Sequence, residues 1–500
     1  MKTVLNLNPI NQVLISGFVT GITFHPFGLG FLAWGSFVPL IHVFKISNTK
    51  KNIFYGYLFG LAYNFTAFYW IGSNSGADSL TVLGSLVAAV SYLALFWAGA
   101  GYLFSFFAKK NKEISGVFLF PFIIVFMEYI RSFGVLGFPW SNLALSQSQY
   151  IYFIQFIEVT GTYGVSFVII GFNVIIYNII QKNLSLYRGL FFIILVIVGL
   201  SIAGWGRINS LSDKNQEISV VIAQPNINPN SKWKNKKRVI TFMDSLHQEA
   251  IKFKPDLIVF PETALPSYLV RDRKTRNSLQ KTVDNSNIPL LTGTIHTSFE
   301  DNSRYYHNSS MFLIPKRNYE LYSKIHLVPF AEYDLIPTFF HPLSKLNINI
   351  ERGNFKSGSD YKAFKHKNLF FSNLICYESS IPRIARIFVS RGAEFLVIQA
   401  NDGWLENSFG PHQHFELAKL RAIENRISIV RSANTGISGI INFDGSIIRK
   451  VKLNEEKLIF ERINTNNNGS FYTKYGDIFA IINVLFILIM ISFSCRKYFF

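Results

Sequence analysis

Apolar text runs through this chain in two rhythms. Long, nearly uninterrupted stretches lie at about 9–22, 25–43, 54–73, 81–108, 115–131, 160–181, 189–206 and 478–495. Several reach the roughly 20 residues that an α-helix needs to cross a hydrocarbon layer. Gly21, Pro26, Gly28 and Gly30 crowd the junction of the first two stretches, which reads as a tight helical hairpin or a partly re-entrant segment. No small-residue cleavage site follows the first stretch and further spans do, so it is read as a span and not as a removed signal. After residue 206 the rhythm shortens. Runs rich in Val, Ile, Leu and Phe at 218–223, 256–260, 288–292, 309–314, 369–376, 395–399 and 427–431 read as strands, and amphipathic text at 234–252, 273–285, 379–391 and 412–425 reads as helix. Strands of this kind, several separated by helices, predict an α/β domain with helix-covered sheets. The Pro-, Asn- and Gly-rich text at 335–360 reads as a loop. No internal repeat is visible.

The expected organisation is therefore a seven-helix transmembrane region over 1–206, a water-facing block over 207–477, and an eighth helix with a short tail over 478–500. Averages conceal this division: the chain is 49% hydrophobic and 16% charged, with mean hydropathy +0.24. Residues 54–107 carry Asp78 as their single formal charge, whereas 207–300 is dense in charge. A soluble protein with such stretches would lack polar surface.

Basic residues sort to alternate loops. Lys45, Lys50 and Lys51, then Lys109, Lys110 and Lys112, then Lys182 and Arg188, then Arg496 and Lys497 follow every second span, while the loops at 74–80 and 132–159 hold none. The positive-inside rule then puts both termini in the cytoplasm and 207–477 outside it. A net charge of +19 would suit a nucleic-acid partner, but an extracytoplasmic block has no access to it and shows no basic–aromatic interleaving. Attraction to anionic headgroups, or plain solubility, fits better. Two cysteines, Cys376 and Cys495, make no disulfide framework, and Cys376 reads as a free thiol.

Three strand ends carry reactive groups: Glu262 after Val259-Phe260-Pro261, Lys324 after Tyr322-Ser323, and Cys376 after the 369–376 run. A thiol needs a base, and a tetrahedral intermediate needs a positive donor beside its oxyanion. Glu262 can take the proton and Lys324 can hold the charge. The same pair also fits a plain structural ion pair, and a lone cysteine at a strand end also fits a small core residue. His412 and His414, at i and i+2, do not face together on a helix and find no third zinc ligand in the text, so they read as packing or hydrogen-bonding groups near the Trp404 loop. Glu128 and Arg131, three apart at a membrane edge, suit an ion pair or a lipid headgroup.

The motifs in order are Ala223-Gln-Pro-Asn-Ile227, Pro261-Glu262-Thr-Ala-Leu-Pro266, Tyr322-Ser-Lys324-Ile-His-Leu-Val-Pro-Phe-Ala-Glu332-Tyr333, Cys376-Tyr377-Glu378, Asn401-Asp402-Gly-Trp404, Gly410-Pro-His-Gln-His414, Leu420-Arg421-Ala-Ile-Glu424 and Arg431-Ser-Ala-Asn434-Thr435-Gly436-Ile-Ser438. Together with Glu128, Arg131, Gly137-Phe-Pro-Trp140, Gln155, Gly161-Thr-Tyr-Gly164 and Thr473-Lys-Tyr475-Gly476-Asp477, they resemble the bacterial apolipoprotein N-acyltransferases, membrane enzymes of the nitrilase superfamily. The resemblance covers nearly the whole chain.

That resemblance implies a nitrilase-like four-layer α-β-β-α sandwich inserted before the last helix of an eight-helix transmembrane domain. It implies a Glu262–Lys324–Cys376 triad working in two steps. Cys376 attacks the sn-1 ester of a membrane phospholipid and becomes a thioester, and the α-amine of a lipoprotein's diacylglyceryl-cysteine then takes the acyl chain. Supporting roles are implied for Glu332, Tyr377, Glu378, Trp233 and Trp404, with no cofactor and no metal. The implied partners are phospholipid, diacylglyceryl lipoproteins and the bilayer; the implied place is the bacterial inner membrane with a periplasmic catalytic domain, and a monomer is expected. Two departures from the family wording stand out. Ala331 replaces a glycine before Glu332, and Gly403-Trp404-Leu405-Glu406 replaces Ala-Trp-Phe-Gly. Two other readings keep parts of the pattern. A membrane-attached nitrilase-type amidase or hydrolase keeps the triad but gives the thioester to water, releasing fatty acid without acylating a lipopeptide. A transporter would use the spans directly and survive Cys376→Ala.

Overall fold

The computed structural model describes residues 2–110, 116–211, 216–300, 303–329, 331–333, 355–466 and 468–496. The chain forms two compact units. One comprises Met1–Gly72, Leu83–Leu211 and Tyr475–Phe500, and the other Ser73–Val82 with Ser212–Lys474. Most of the expected 335–360 loop lies outside the described residues.

The first unit is helical. Among the described residues, Ser79–Lys109, Tyr163–Ile180, Leu186–Ser210 and Ile478–Cys495 are long and apolar enough to cross a membrane. Pro9–Ile22, Thr49–Phe68 and Gly116–Arg131 are further helices, while the apolar text at 25–43 breaks into Gly30–Leu32, Ala33–Ser36 and Val38–Ile46. Helix starts follow local chemistry: Asn48 Oδ1 accepts from Lys51 N–H at 3.0 Å and Ser185 Oγ from Arg188 N–H at 3.4 Å. Asp78, the lone charge of its region, caps the helix after it by accepting from Thr81 N–H at 3.0 Å and Thr81 Oγ–H at 2.6 Å. Glu128 and Arg131 are both buried, 3.7 Å apart. Glu128 also accepts from Asn142 Nδ2 at 2.8 Å and Leu143 N–H at 3.0 Å, and Arg131 donates to the Ser141 carbonyl at 3.0 Å. The pair is thus closed on the 138–143 turn.

The second unit contains two six-stranded sheets. The first is ordered β12-β1-β2-β3-β4-β5 and the second β11-β10-β9-β8-β7-β6. The first holds β1 (Glu217–Gln224), β2 (Leu257–Val259), β3 (Leu290–Glu300), β4 (Ser303–Leu313), β5 (Glu320–Ser323) and β12 (Lys457–Asn464). The second holds β6 (Ala363–His366), β7 (Leu369–Ile375), β8 (Phe395–Ala400), β9 (Ser428–Ala433), β10 (Gly439–Ile441) and β11 (Ile447–Lys450). Each sheet has three parallel strands (β1-β2-β3; β7-β8-β9), extended on one side by an antiparallel pair and edged on the other by one antiparallel strand. The same plan occurs twice, without a repeat in the text.

Helices Lys236–Lys252 and Arg273–Ser286 cover the first sheet, burying Val239, Met243, Leu246, Leu279 and Val283 against Val221, Ile258, Leu290 and Met311. Helices Pro382–Ser390 and Gly410–Asn425 pack on the second. Polar side chains join one sheet to the other. Asn373 Nδ2 on β7 donates to Ser310 Oγ on β4 at 2.6 Å, Gln399 Nε2 on β8 to the Phe260 carbonyl at 2.5 Å, and Ser432 Oγ on β9 to the Ala223 carbonyl at 2.8 Å. Buried polar groups are tolerated only when bonded in this way, and they fix one registration of the sheets.

Candidate active site

The turn after β2 presents Glu262. Gly293 on β3 makes room for it, because a Cβ there would lie 2.3 Å from Thr263 N. Thr263 takes φ +44°, and the buried Lys232 ammonium donates to its carbonyl at 2.7 Å and to its Oγ1 at 3.0 Å. Lys324 follows β5, its N–H bonded to the Asn308 carbonyl at 2.8 Å. Cys376 follows β7 and takes φ +51°, a conformation that costs a non-glycine residue on the order of 1–3 kcal/mol and persists only where its surroundings impose it. A 3-10 turn over Cys376–Ser380 leads away. Neither cysteine is in a disulfide, and Cys376 is half-buried.

These ends converge. The Cys376 thiol hydrogen-bonds to the Glu262 side chain. Lys324 Nζ stands 4.0 Å from Glu262 Oε1 and 2.7 Å from Glu332 Oε2. Asn308 on β4, unremarkable in the sequence, bridges both acids: its Nδ2 donates to Glu262 Oε1 and to Glu332 Oε1, each at 2.7 Å. Glu332 also accepts from Val328 N–H at 2.8 Å.

Electrostatics sort the groups. Burial, with Glu332 nearby, holds the Glu262 carboxyl above its ordinary range although Lys324, Asn308 and the thiol pull it down. Burial and the Glu262 charge push the Cys376 thiol well up against the opposing Lys324. Burial would lower Lys324, but Glu332, Glu262 and Cys376 overcome it and raise it above the ordinary lysine value. Burial thus opposes the charged forms of both the thiol and Glu262, while Lys324 is favoured as an ammonium.

Glu378 is fully buried, and its hydrogen bonds go to other groups. Its Oε1 accepts from Tyr322 Oη–H at 2.8 Å and Ile325 N–H at 2.7 Å, and its Oε2 from Ile375 N–H at 2.7 Å. It thereby ties the end of β5 to the end of β7. Burial pushes it up to about 7 against those donors. Tyr377 stacks on His326 at 5.9 Å. Trp233 packs on Tyr268 at 5.5 Å, and the Trp404 carbonyl accepts from Ser75 N–H at 2.8 Å.

Behind Cys376 lies a second cluster. Cys376 Sγ, an Asp402 oxygen and a His414 nitrogen fall within 4.8 Å of one another, a donor set of the metal-binding kind. Arg431 occupies the same space, with its guanidinium 2.8 Å from Asp402 Oδ2 and 3.0 Å from His414 Nδ1. Both ring nitrogens are engaged, Nδ1 with Asp402 at 2.7 Å and Nε2 with Ser379 Oγ at 2.9 Å. A fixed cation and occupied nitrogens suit an internal ion-pair network, not a metal.

Two sheets of this connectivity, with a carboxylate, an ammonium and a thiol at their strand ends, define a protein of the carbon–nitrogen hydrolase class. The carbon-nitrogen hydrolase family model matches residues 219–471, and the model of the apolipoprotein N-acyltransferase N-terminal domain matches 16–175. The apolipoprotein N-acyltransferase of Geobacter metallireducens is 30% identical over 485 residues, 94% of this chain and 92% of that one. That of Rickettsia typhi is 29% identical over 490 residues, 95% of this chain and 96% of its own. The solved carbon-nitrogen hydrolase from Helicobacter pylori G27 is 17% identical, covering 50% of this chain and 90% of that one with a TM-score of 0.39. The chain belongs to the apolipoprotein N-acyltransferase family.

Proposed function

We propose that this chain transfers the sn-1 acyl chain of a membrane phospholipid to the free α-amine of the amino-terminal diacylglyceryl-cysteine of apolipoproteins, by a ping-pong route through Cys376. Family membership makes it an acyltransferase acting on lipoproteins with lipid donors. The observation that carries the mechanism is the thiol bonded to Glu262 beside the raised Lys324 ammonium.

In the first half, Glu262 takes the thiol proton as Sγ bonds to the ester carbonyl carbon, and Lys324 faces the oxyanion. Collapse breaks the ester C–O bond, and the lysophospholipid alkoxide leaves with the proton from Glu262. In the second half the amine attacks the thioester carbonyl, Glu262 takes the amine proton, and the C–S bond breaks with return of that proton to sulfur. Glu332 and Asn308 hold the base and the ammonium in register, Glu378 and Tyr377 hold the strand ends, and Trp233 and Trp404 line the approaches. No step calls for a cofactor.

In this reading residues 1–206 and 478–500 supply eight membrane-crossing helices, and 207–477 is a four-layer α-β-β-α domain. That domain faces the periplasm from the inner membrane, both termini are cytoplasmic, and the enzyme works as a monomer. The alternation of basic loops supports the orientation. The deciding experiment is intact-mass measurement after incubation with phospholipid alone. An acyl-sized adduct lost in Cys376→Ser supports the reading, and an unmodified wild-type protein rejects it. Adding a diacylated lipopeptide separates transfer from hydrolysis: free fatty acid without triacylated product supports the hydrolase.

A further inference from the structure

The Cys376 backbone is held from behind as closely as its thiol is held from the front. Its carbonyl accepts from Ser379 Oγ–H at 2.9 Å and lies 3.1 Å from His414 Nε2, while Ser379 Oγ and His414 Nε2 are 2.9 Å apart. Ser379, His414, Asp402 and Arg431 are all almost wholly buried. Their origins are adjacent, since Cys376 ends β7, Asp402 follows β8 and Arg431 lies on β9, three neighbouring parallel strands. His414 comes from the helix Gly410–Asn425.

We propose that Asp402, His414 and Arg431 are positioning residues which, through Ser379, clamp the Cys376 carbonyl and keep the left-handed turn that aims the thiol at Glu262. The inference rests on the thioester reading above.

Proton counting shows how the clamp works. A carboxylate only accepts, and Asp402 Oδ1 at 2.7 Å is the nearer partner of Nδ1, so the proton is placed on Nδ1; Arg431, 3.0 Å from the same nitrogen, then donates to Asp402 Oδ2 and not to the ring. In the neutral ring Nε2 is then an acceptor facing a second acceptor, the Cys376 carbonyl. One proton, that of Ser379, serves both. The charged and titratable groups facing His414 are Asp402 from the turn after β8, Arg431 from β9 and the Cys376 thiol. Burial and Arg431 lower the ring's pKa and Asp402 only partly restores it, so the ring is neutral near pH 7. Deleting the Ser379 hydroxyl leaves two lone pairs in contact, which protonation of His414 would relieve.

Asp402 offers a second handle, because its charge also raises the thiol pKa. Asp402→Asn should make Cys376 easier to ionise while loosening the clamp. Ionisation and turnover then move in opposite directions.

The test uses full-length enzyme in phospholipid vesicles, with single-turnover thioester formation and iodoacetamide alkylation of Cys376 followed against pH. Ser379→Ala should slow thioester formation at least tenfold at pH 7.5, with a deficit that narrows as pH falls and His414 protonates, and Ser379→Thr should restore the rate. Asp402→Asn should alkylate faster than wild type at pH 7.5 yet form thioester more slowly. Melting temperatures identify any variant that fails through unfolding; there Ser379→Thr and Asp402→Asn still decide. Wild-type rates in both variants overturn the proposal, and so does a loss in Ser379→Ala that is equal at every pH. Absence of any thioester in the wild type defeats the underlying reading instead.

Discussion

Glu262 has to meet the thiol proton as a carboxylate, and its surroundings oppose that charge. Burial and the Glu332 carboxylate hold its pKa above the ordinary 4.5. A base is lost when it is protonated, so thioester formation should fall as pH drops through this raised value, with a midpoint above 4.5. Glu332→Gln removes a neighbouring negative charge and should move that limb to lower pH. A pH–rate profile flat down to pH 4 would disprove the role. Glu406 gives a second test at this scale. It stands where the family wording has glycine and takes φ +48°, ψ −145°, a region suited to glycine. Glu406→Gly should stabilise the protein by about 1 kcal/mol, read as a higher melting temperature with thioester formation unchanged; a lower one would contradict this. Glu262 and Cys376 were legible because each closes an apolar run, whereas Lys324 follows the mixed text Tyr319-Glu-Leu-Tyr-Ser323 and stood out through the motif around it. Asn308 and the Asp402–His414 pair were not: an amide inside His-Asn-Ser-Ser text and a histidine inside a helix carry no local mark of their partners. The available hint was polar text continuing into the buried half of a strand.

Among the elements, Glu378 does the joining that neither β5 nor β7 can do alone, since these strands belong to different sheets. Glu378→Gln turns an acceptor toward three backbone and phenol donors into a group that presents its own N–H. Each donor left unsatisfied costs about 1–3 kcal/mol. The expected result is a melting temperature lower by several degrees, together with thioester formation slowed at least tenfold. An unchanged melting curve would show that the tie is dispensable. The parallel central strands were readable as apolar runs because both faces are buried. β5, β6, β10 and β11 are three or four residues long, and β11, Ile-Ile-Arg-Lys, is exposed throughout. β12 mixes charge with Leu, Ile and Phe because it lies at an edge. The outer halves of β3 and β4 are polar for a related reason: backbone pairing with each other, from Glu300↔Ser303 inward, and not apolar burial, extends them.

At the scale of the molecule, the sheet plan used twice puts a buried acid just beyond each middle strand, Glu262 after β2 and Asp402 after β8. Glu262 bonds the thiol, and Asp402 holds His414, which lies against the carbonyl of the same cysteine. The last strand of the first sheet is also the last of the unit: β12 pairs with β1 along its full length, Glu217↔Asn464 to Gln224↔Lys457. Partners so far apart in sequence meet late in synthesis. Until residue 464 has left the ribosome, β1 presents an open row of backbone donors and acceptors to any passing strand, and such non-local pairing is slow to form. Nascent chains arrested before residue 457 should therefore expose β1 to limited proteolysis, and chains released beyond residue 464 should protect it. Equal protection in both would contradict this. The acyltransferase site thus waits on a strand that emerges only just ahead of the final apolar helix, so a chain cut short by even one strand is left with an aggregation-prone edge in place of a finished sheet.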